Sequence, residues 1–367
     1  MKKMIHFEFK KLVEQKFILI LLALLFINVL HITLINRSEV NSPLHRGKNK
    51  ILDKVEGPFS QEKVNFIQTE LNKNKALVEQ GDYDTNETDP STYTGYVFGD
   101  MNAFMEIYND MIRVYNYSDV VNEKLLIQNE NLARGHQNHL STFLEKIWSG
   151  RDIHEYYDTS GIQKYLDYSN STLFSFAFII FISSHYLYYD QHYEMEHLIH
   201  ATKHGKNTLK YTRYTVLSIA TVVVVLSLVL SDLIGFVSIF RLNGLLNPIY
   251  SVQGFQLSSL NISILLFMFL KVLVQIIFGL LLALFMMYLS KIIRSNYVTT
   301  VLSFIFAMYM WLKLFSLFNA TSLIHQAKQF SIFKLGSYYI QNVWLMFLGP
   351  VFIYIFLSFV FLSRREL

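Results

Sequence analysis

Apolar residues gather in six long runs along this chain, at about 17–36, 170–189, 214–240, 261–290, 297–318 and 343–362. Each is long enough to cross about 30 Å of hydrocarbon as a helix rising about 1.5 Å per residue. The third and fourth exceed the minimum, so they tilt or extend past the bilayer. A helix satisfies its own backbone hydrogen bonds, which hydrocarbon requires of any segment that spans it. The pattern therefore predicts an all-α polytopic membrane protein with six transmembrane helices. The first run does not read as a cleaved leader. Phe17 to Ile35 is longer than a leader's apolar core, and Asn36-Arg37-Ser38 follows without a small-x-small site.

Two segments outside these runs have helical periodicity of a different kind. In residues 1–16, Ile5, Phe9, Leu12 and Val13 share one face, while Lys2, Lys3, Lys10, Lys11 and Glu14 occupy the others. That is the pattern of an amphipathic helix lying on an anionic leaflet, against the plainer reading of a basic tail. Residues 37–169 hold no spanning run and predict a helical domain between spans one and two. One stripe is Val64, Ile67, Leu71 and Val78, and a second is Phe104, Ile107, Tyr108, Met111 and Tyr115. A third runs from Val121 through Leu125, Leu132, Leu140, Phe143 and Leu144 to Ile147, with Gly135 a weak point. The polar stretch Gly81–Gly95 predicts a mobile loop, and Tyr156–Gly161 a turn back toward the second span.

Charge sets the orientation. Residues 1–16, 190–213, 291–296 and 363–367 hold five, four, two and two Lys/Arg, whereas 241–260 and 319–342 together hold three. Basic residues are retained on the cytoplasmic side, so both termini are expected inside and 37–169 outside the cell. The domain segment agrees: residues 37–168 carry 14 Lys/Arg against 21 Asp/Glu, and the remainder 18 against 7. Opposite balances imply two environments. This placement of the basic residues also accounts for them without nucleic acid. Absence of cysteine excludes disulfides without fixing the compartment. Richness in Ile, Asn, Lys and Tyr points to a low-GC Gram-positive bacterium.

Residues 190–213, DQHYEMEHLIHATKHGKNTLKYTR, join the second and third runs. Met195, Leu198 and Ile199 form one narrow apolar face. The order Glu194 or Glu196, Leu198, Thr202, Gly205-Lys206, Leu209, Arg213 resembles the first intracellular loop of ABC-2 type permeases, the membrane subunits of ATP-driven exporters. The six-run layout is similar to that family along most of the chain, with a larger segment between the first two spans than its minimal members have. The resemblance implies that residues 1–16 are an elbow helix. It also implies that Glu194, Met195, Glu196, Leu198, Ile199, Thr202, Gly205, Lys206 and Arg213 form a coupling segment docked on a cytoplasmic ATPase. The expected assembly is two permease subunits, as a homo- or heterodimer, with two ATPase copies. Peptide, bacteriocin, drug and lipid all remain open as cargo, with resistance or immunity as the setting. Without the resemblance, the loop reads equally well as a charged connector.

The chemistry in the sequence is sparse. No G-x-x-x-x-G-K-[ST] occurs, and Gly47-Lys48 and Gly205-Lys206 lack its remaining residues. No catalytic residue, metal or cofactor is therefore assigned to this chain, and ATP and Mg would belong to the partner ATPase. Histidines 192, 197, 200 and 204 leave a membrane metalloenzyme as an alternative, since His200 and His204 sit at i, i+4. His136 and His139 are a weaker pair. A third reading is a peptide- or antibiotic-sensing protein that signals without transport. Ionisable residues inside spans are functional candidates because hydrocarbon disfavours charge. Asp232 and Lys271 lie at similar depth, as a structural ion pair or as part of a substrate path, and Asn28, His31 and Gln275 can join either arrangement. Lys313, near a span end, can snorkel to the interface.

Overall fold

A computed structural model describes residues 2–14, 16–80, 91–119, 151–192, 205–256, 258, 260–293, 295–318, 332–335 and 338–363. The described residues are mostly helical, which fits an all-α polytopic protein. Among the described residues the helices are α1 (Lys2–Glu14), α2 (Phe17–Val40), α3 (Pro43–Val55), α4 (Gln61–Gln80) and α5 (Val97–Tyr115). They continue with α6 (Ser160–Asp167), α7 (Asn170–His192), α8 (Gly205–Val237), α9 (Ile264–Ile292), α10 (Asn296–Phe318) and α11 (Asn342–Ser363). Two small antiparallel pairs interrupt them. Strand β1 (Gly57–Pro58) pairs with β2 (Glu155–Tyr156), and β3 (Ile332–Leu335) with β4 (Tyr338–Gln341). The second pair puts a hairpin inside the 319–342 connection, which the helical reading did not anticipate.

Among the described residues, five helical segments are long and apolar enough to cross a membrane, which is compatible with a multi-pass protein. They are Phe17–Glu39, Ser160–Tyr189, Thr208–Val237, Ile264–Ile292 and Asn296–Leu314, with a shorter apolar stretch at Leu348–Ser363. Their outward faces are bare hydrocarbon. Phe26 on α2, Leu230 on α8, Phe269 on α9, Ile305 on α10 and Phe359 on α11 are all exposed. In water such a belt would drive aggregation, whereas lipid accepts it. Burial is uneven: only 11% of the α2 window is buried, against 72% of Ser160–Tyr189. The segment α6–α7 is thus the axis of the bundle, and α2 sits at its edge. Helix α8 packs on α2, α7 and α9, while α10 and α11 pack against α9.

The two ends of the bundle differ. At the end where α2 begins, Lys16 takes a left-handed conformation (φ 59°), so α1 folds back against α8, α2 and α7. The face it buries differs from the amphipathic reading. Leu12 is covered as expected, but Phe9 is exposed, and Glu8 and Lys11 are buried. They can be, because Lys11 Nζ donates to Glu8 Oε1 (2.9 Å) and Tyr186 Oη donates to Glu8 Oε2 (2.7 Å). Pattern analysis counts each charge as solvent-facing and cannot see that two charges one turn apart satisfy each other.

At the opposite end lies the insert domain between α2 and α7. Its core joins Ile51, Leu52 and Val55 of α3, Val64, Ile67 and Leu71 of α4, and Phe104, Ile107 and Met111 of α5. The two predicted stripes are therefore core, except at their ends. Val78 is half-buried, and Tyr115 is exposed, its ring stacked on Phe59 at 4.8 Å. The third stripe, Gly135, His136 and His139 lie outside the described residues. Of the loop expected to be mobile, residues 91–95 are held. Asp100 accepts from Tyr93 N (2.8 Å) and Thr94 N (2.7 Å), and Thr94 is so close to Gly47 that a Cβ there would meet its Cγ2 at 2.4 Å. Gly47 thus serves close packing of α3.

Candidate functional site

The polar residues singled out within the spans converge at the insert end of the bundle. Asn28 of α2 is fully buried and faces Ser231 and Asp232 of α8. Its Nδ2 donates to Asp232 Oδ1 (2.6 Å) and Ser231 Oγ (2.7 Å). Ser171 Oγ of α7 donates to Asp232 Oδ2 (2.5 Å). Both carboxylate oxygens are therefore occupied by neutral donors, which makes burial of the charge tolerable. Tyr168 Oη, in the turn before α7, donates to Asn28 Oδ1 (2.8 Å), and His31 Nδ1 meets the same hydroxyl at 3.1 Å. A continuous hydrogen-bonded chain thus runs from His31 through Tyr168 and Asn28 to Asp232.

Lys271 of α9 is buried beside this chain, but the expected ion pair with Asp232 does not form. Lys271 Nζ donates instead to the carbonyls of Tyr165 (3.1 Å), Leu166 (2.8 Å) and Tyr168 (3.3 Å). The physical reason is helix α6. It ends at Asp167, and its last carbonyls have no intrahelical partner. The negative end of its dipole then offers an ammonium three acceptors at once. The ring of Tyr165 lies 5.1 Å from the same nitrogen. Asp232 and Lys271 thus have separate partners, Asn28 and Ser171 for the first and the carbonyls around the end of α6 for the second.

Other helices grip that turn as well. Trp311 Nε1 of α10 donates to Ser169 O (3.1 Å), and Gln275 Nε2 of α9 donates to Thr172 Oγ1 (2.7 Å). Lys164 of α6 pairs with Glu39 of α2. Asn28, His31, Asp232, Lys271 and Gln275 thus form one cluster. Sequence reasoning missed Tyr168, Ser171, Ser231, Thr172 and Trp311. Short hydroxyl residues and aromatics are common in spans, so these carry no individual signal; the α6 carbonyls carry none in principle. A small void bounded by Ser171, Thr172, Ser175, Phe176, Val225, Val229 and Gln275 adjoins the cluster and is too narrow for a water. In this conformation the cluster is a packed joint. Lys313 is exposed, 5.5 Å from the ring of Tyr309.

The insert domain meets the bundle over the α8–α9 connection, residues 241–260. Tyr250, at a one-turn 3₁₀ segment Ile249–Ser251, belongs to the domain's own core. Tyr117 stacks on it at 4.8 Å and donates to Gln256 O (2.8 Å), while Arg151 donates to Ser258 O (2.6 Å) and lies 4.9 Å from the Tyr250 ring. Burial pushes the Tyr117 phenol up to about 12, against the pull of Arg151, so it remains a donor at any physiological pH. Gly161 allows the close approach of α6 here, since a Cβ would meet Phe240 Cβ at 2.7 Å. Nearby, Lys48 bridges Glu106 (2.8 Å) and Asp158 (3.6 Å). Burial opposes its charge, but those carboxylates outweigh it and its pKa is raised.

Of the expected coupling segment, Glu194, Met195, Glu196, Leu198, Ile199 and Thr202 lie outside the described residues, as do His197, His200 and His204. Gly205 and Lys206 open α8, and Arg213 lies two turns into it, so the third span begins earlier than its apolar run suggests. The connection between α7 and α8 is correspondingly shorter than 190–213. No group of three or more possible metal ligands occurs among the described residues. Comparison with known proteins finds no matching family model, no similar curated protein and no similar solved structure.

Proposed function

We infer that this chain is the membrane-spanning subunit of an ATP-driven ABC-2 type exporter in a bacterial cell membrane. Helix α11, at 22 residues about 33 Å long, serves as the sixth span beside the five longer ones. Helix α1 is the elbow, both termini are cytoplasmic, and the insert domain is outside. Two such chains, or this chain and a related one, bind two ATPase subunits that hydrolyse Mg-ATP, and the chain itself carries no catalytic group. The cargo is a peptide, bacteriocin, drug or lipid-like molecule.

The observation that carries this reading is the ordered set Glu194/Glu196, Leu198, Thr202, Gly205-Lys206, Leu209 and Arg213, which leads into α8 at the end of the bundle away from the insert domain. A cytoplasmic ATPase would dock there, and closure of the two ATPases would move the helices as packed bodies. Affinity purification of the tagged chain from its native membrane should retain a protein with a phosphate-binding G-x-x-x-x-G-K-[ST] loop. Glu196→Lys with Leu198→Asp should lose that protein or uncouple its ATP hydrolysis, while folding is preserved. Normal retention and normal hydrolysis in the variant would reduce the segment to a connector and remove the main support for the reading.

One observation favours a second reading, in which the protein senses an external peptide or antibiotic and moves nothing. Tyr250 of the bundle is built into the insert domain's core, so a ligand on that domain would act directly on the α8–α9 connection. Substrate-stimulated efflux from proteoliposomes separates the two, because a sensor produces none.

A further inference from the structure

Helix α6 is gripped at its start by the insert domain and grips the bundle at its end. Asp158 belongs to the start, because its carboxylate accepts from Ser160 N (3.2 Å) and Ser160 Oγ (2.8 Å). Glu56, which closes α3 in the insert domain, fixes this point. Its Oε1 accepts from Asp158 N (3.2 Å), and its Oε2 accepts from Asn243 Nδ2 (2.8 Å) of the α8–α9 connection. Lys48 of α3 reaches the Asp158 carboxylate at 3.6 Å. The far end of α6 presents the carbonyls of Tyr165 and Leu166 to Lys271, with Tyr168 O just beyond. Its 8 residues, joined by their own backbone bonds, make a rod about 12 Å long. A displacement of α3 therefore reaches Lys271 through one short helix.

Lys271 has a second acceptor available. Asp232 is close enough for its charge to act on Lys271, although the two do not bond. Its oxygens are held by neutral donors, Asn28 and Ser171. Asp167, the other carboxylate that acts on Lys271, is the last residue of α6 and travels with it. A buried ammonium cannot be left without acceptors. If α6 is drawn away, its carbonyls leave, and Asp232 stays because it stands on α8. Packed interiors switch between such discrete arrangements instead of deforming smoothly. We propose that α6 is a lever and Lys271 its two-position catch. With the insert domain seated as in this structure, Lys271 is bound to the α6 carbonyls; with α6 drawn away, it pairs with Asp232. The device needs no ATPase and serves an exporter or a sensor alike.

Glu56→Ala, which cuts the insert domain's hold on the start of α6, tests this in the purified full chain in detergent. Amide exchange at residues 158–161 should rise. In the wild type, adding Asp232→Asn to Lys271→Met should recover a minor part of the lost thermal stability. In the Glu56→Ala background it should recover most of it, as for a direct pair. Trp311 gives a second readout, because it donates to Ser169 O in the turn after α6. With Trp148 and Trp344 replaced by Phe, its emission should shift in Glu56→Ala. It should stay constant in Tyr93→Phe, which removes a hydrogen bond with Lys54 (2.6 Å) inside the insert domain. Glu56→Gln keeps the side chain's size, guards against a variant that misfolds, and should move each readout the same way by less. Three results would each overturn the proposal: no rise in exchange at 158–161, a rise there with unchanged Asp232–Lys271 coupling, or equal emission shifts in Glu56→Ala and Tyr93→Phe.

Discussion

The bundle buries charge at both ends, but by different means. At the α1 end, Glu8 and Lys11 are one helical turn apart and touch directly, with Tyr186 donating to Glu8 and the Tyr189 ring 5.5 Å from Lys11 Nζ. At the insert end, Asp232 and Lys271 come from different helices and do not touch. Asn28 and Ser171 hold the first, and three carbonyls at the end of α6 hold the second. The first arrangement fixes one helix against its neighbours. The second ties α2, α6, α7, α8, α9 and α10 together at a single turn, the one through which the chain passes from insert domain to bundle. A direct pair can be removed as a unit, whereas a lysine bound to backbone carbonyls cannot, because the carbonyls remain.

That difference is measurable by unfolding in detergent. Lys271→Met should have the largest effect, about 3–5 kcal/mol, since it leaves three buried or part-buried carbonyls around the end of α6 without their donor, at about 1–3 kcal/mol each. Adding Asp232→Asn should recover only a minor part, and full recovery would mean that the two residues form an ordinary ion pair after all. Glu8→Gln should cost less, about 1–3 kcal/mol. Here the addition of Lys11→Met should recover most of the loss, and failure to do so would erase the contrast between the ends. Trp311→Phe removes one hydrogen bond to the α6–α7 turn and should cost about 1 kcal/mol. Hydrogen exchange should rise around Ser169 while α4 and α5 are unaffected; uniform loosening would contradict a local grip.

The smallest effect is one of pH and belongs to the insert domain. Burial lowers the pKa of His45 below 6.5, with Glu39 opposing and Lys164 and Lys48 reinforcing. A depressed histidine is neutral in the folded state where the unfolded chain takes up a proton. Stability should therefore fall as pH drops below about 6.5, until the folded-state pKa is passed. Replacing His45 with Gln should flatten that part of the profile of domain unfolding. An unchanged slope would remove His45 as its source.

How much of this was legible follows from what each feature costs. Spans leave long apolar runs because hydrocarbon tolerates little else, so α2 and α7–α10 were visible in the sequence. Polar and ionisable side chains are rare enough in a span that Asn28, His31, Asp232, Lys271 and Gln275 stood out in the sequence as candidates. Depth can be read from position in a run, so the proximity of Asp232 and Lys271 was legible. Their failure to pair was not, because the competing acceptors are backbone carbonyls exposed by the end of α6 at Asp167. For the same reason the buried face of α1 was misread: a hydrophobic pattern assigns Lys11 to solvent, and only the folded chain supplies Glu8 and Tyr186. The tie between Tyr117, Arg151 and the α8–α9 connection joins residues more than 100 positions apart, with carbonyls again as the acceptors.

The proposed function requires the two ends of the bundle to face opposite sides of the membrane, and we propose that the insert domain is outside and the start of α8 inside. The chain has no native cysteine, so single cysteines placed at Asp84 and at Lys206 can be read without background. Labelling of intact cells with a membrane-impermeant thiol reagent should modify the first and leave the second unreacted until the cells are opened. Reaction at Lys206 but not at Asp84 in intact cells would invert the topology, and with it the docking of an ATPase on residues 194–213.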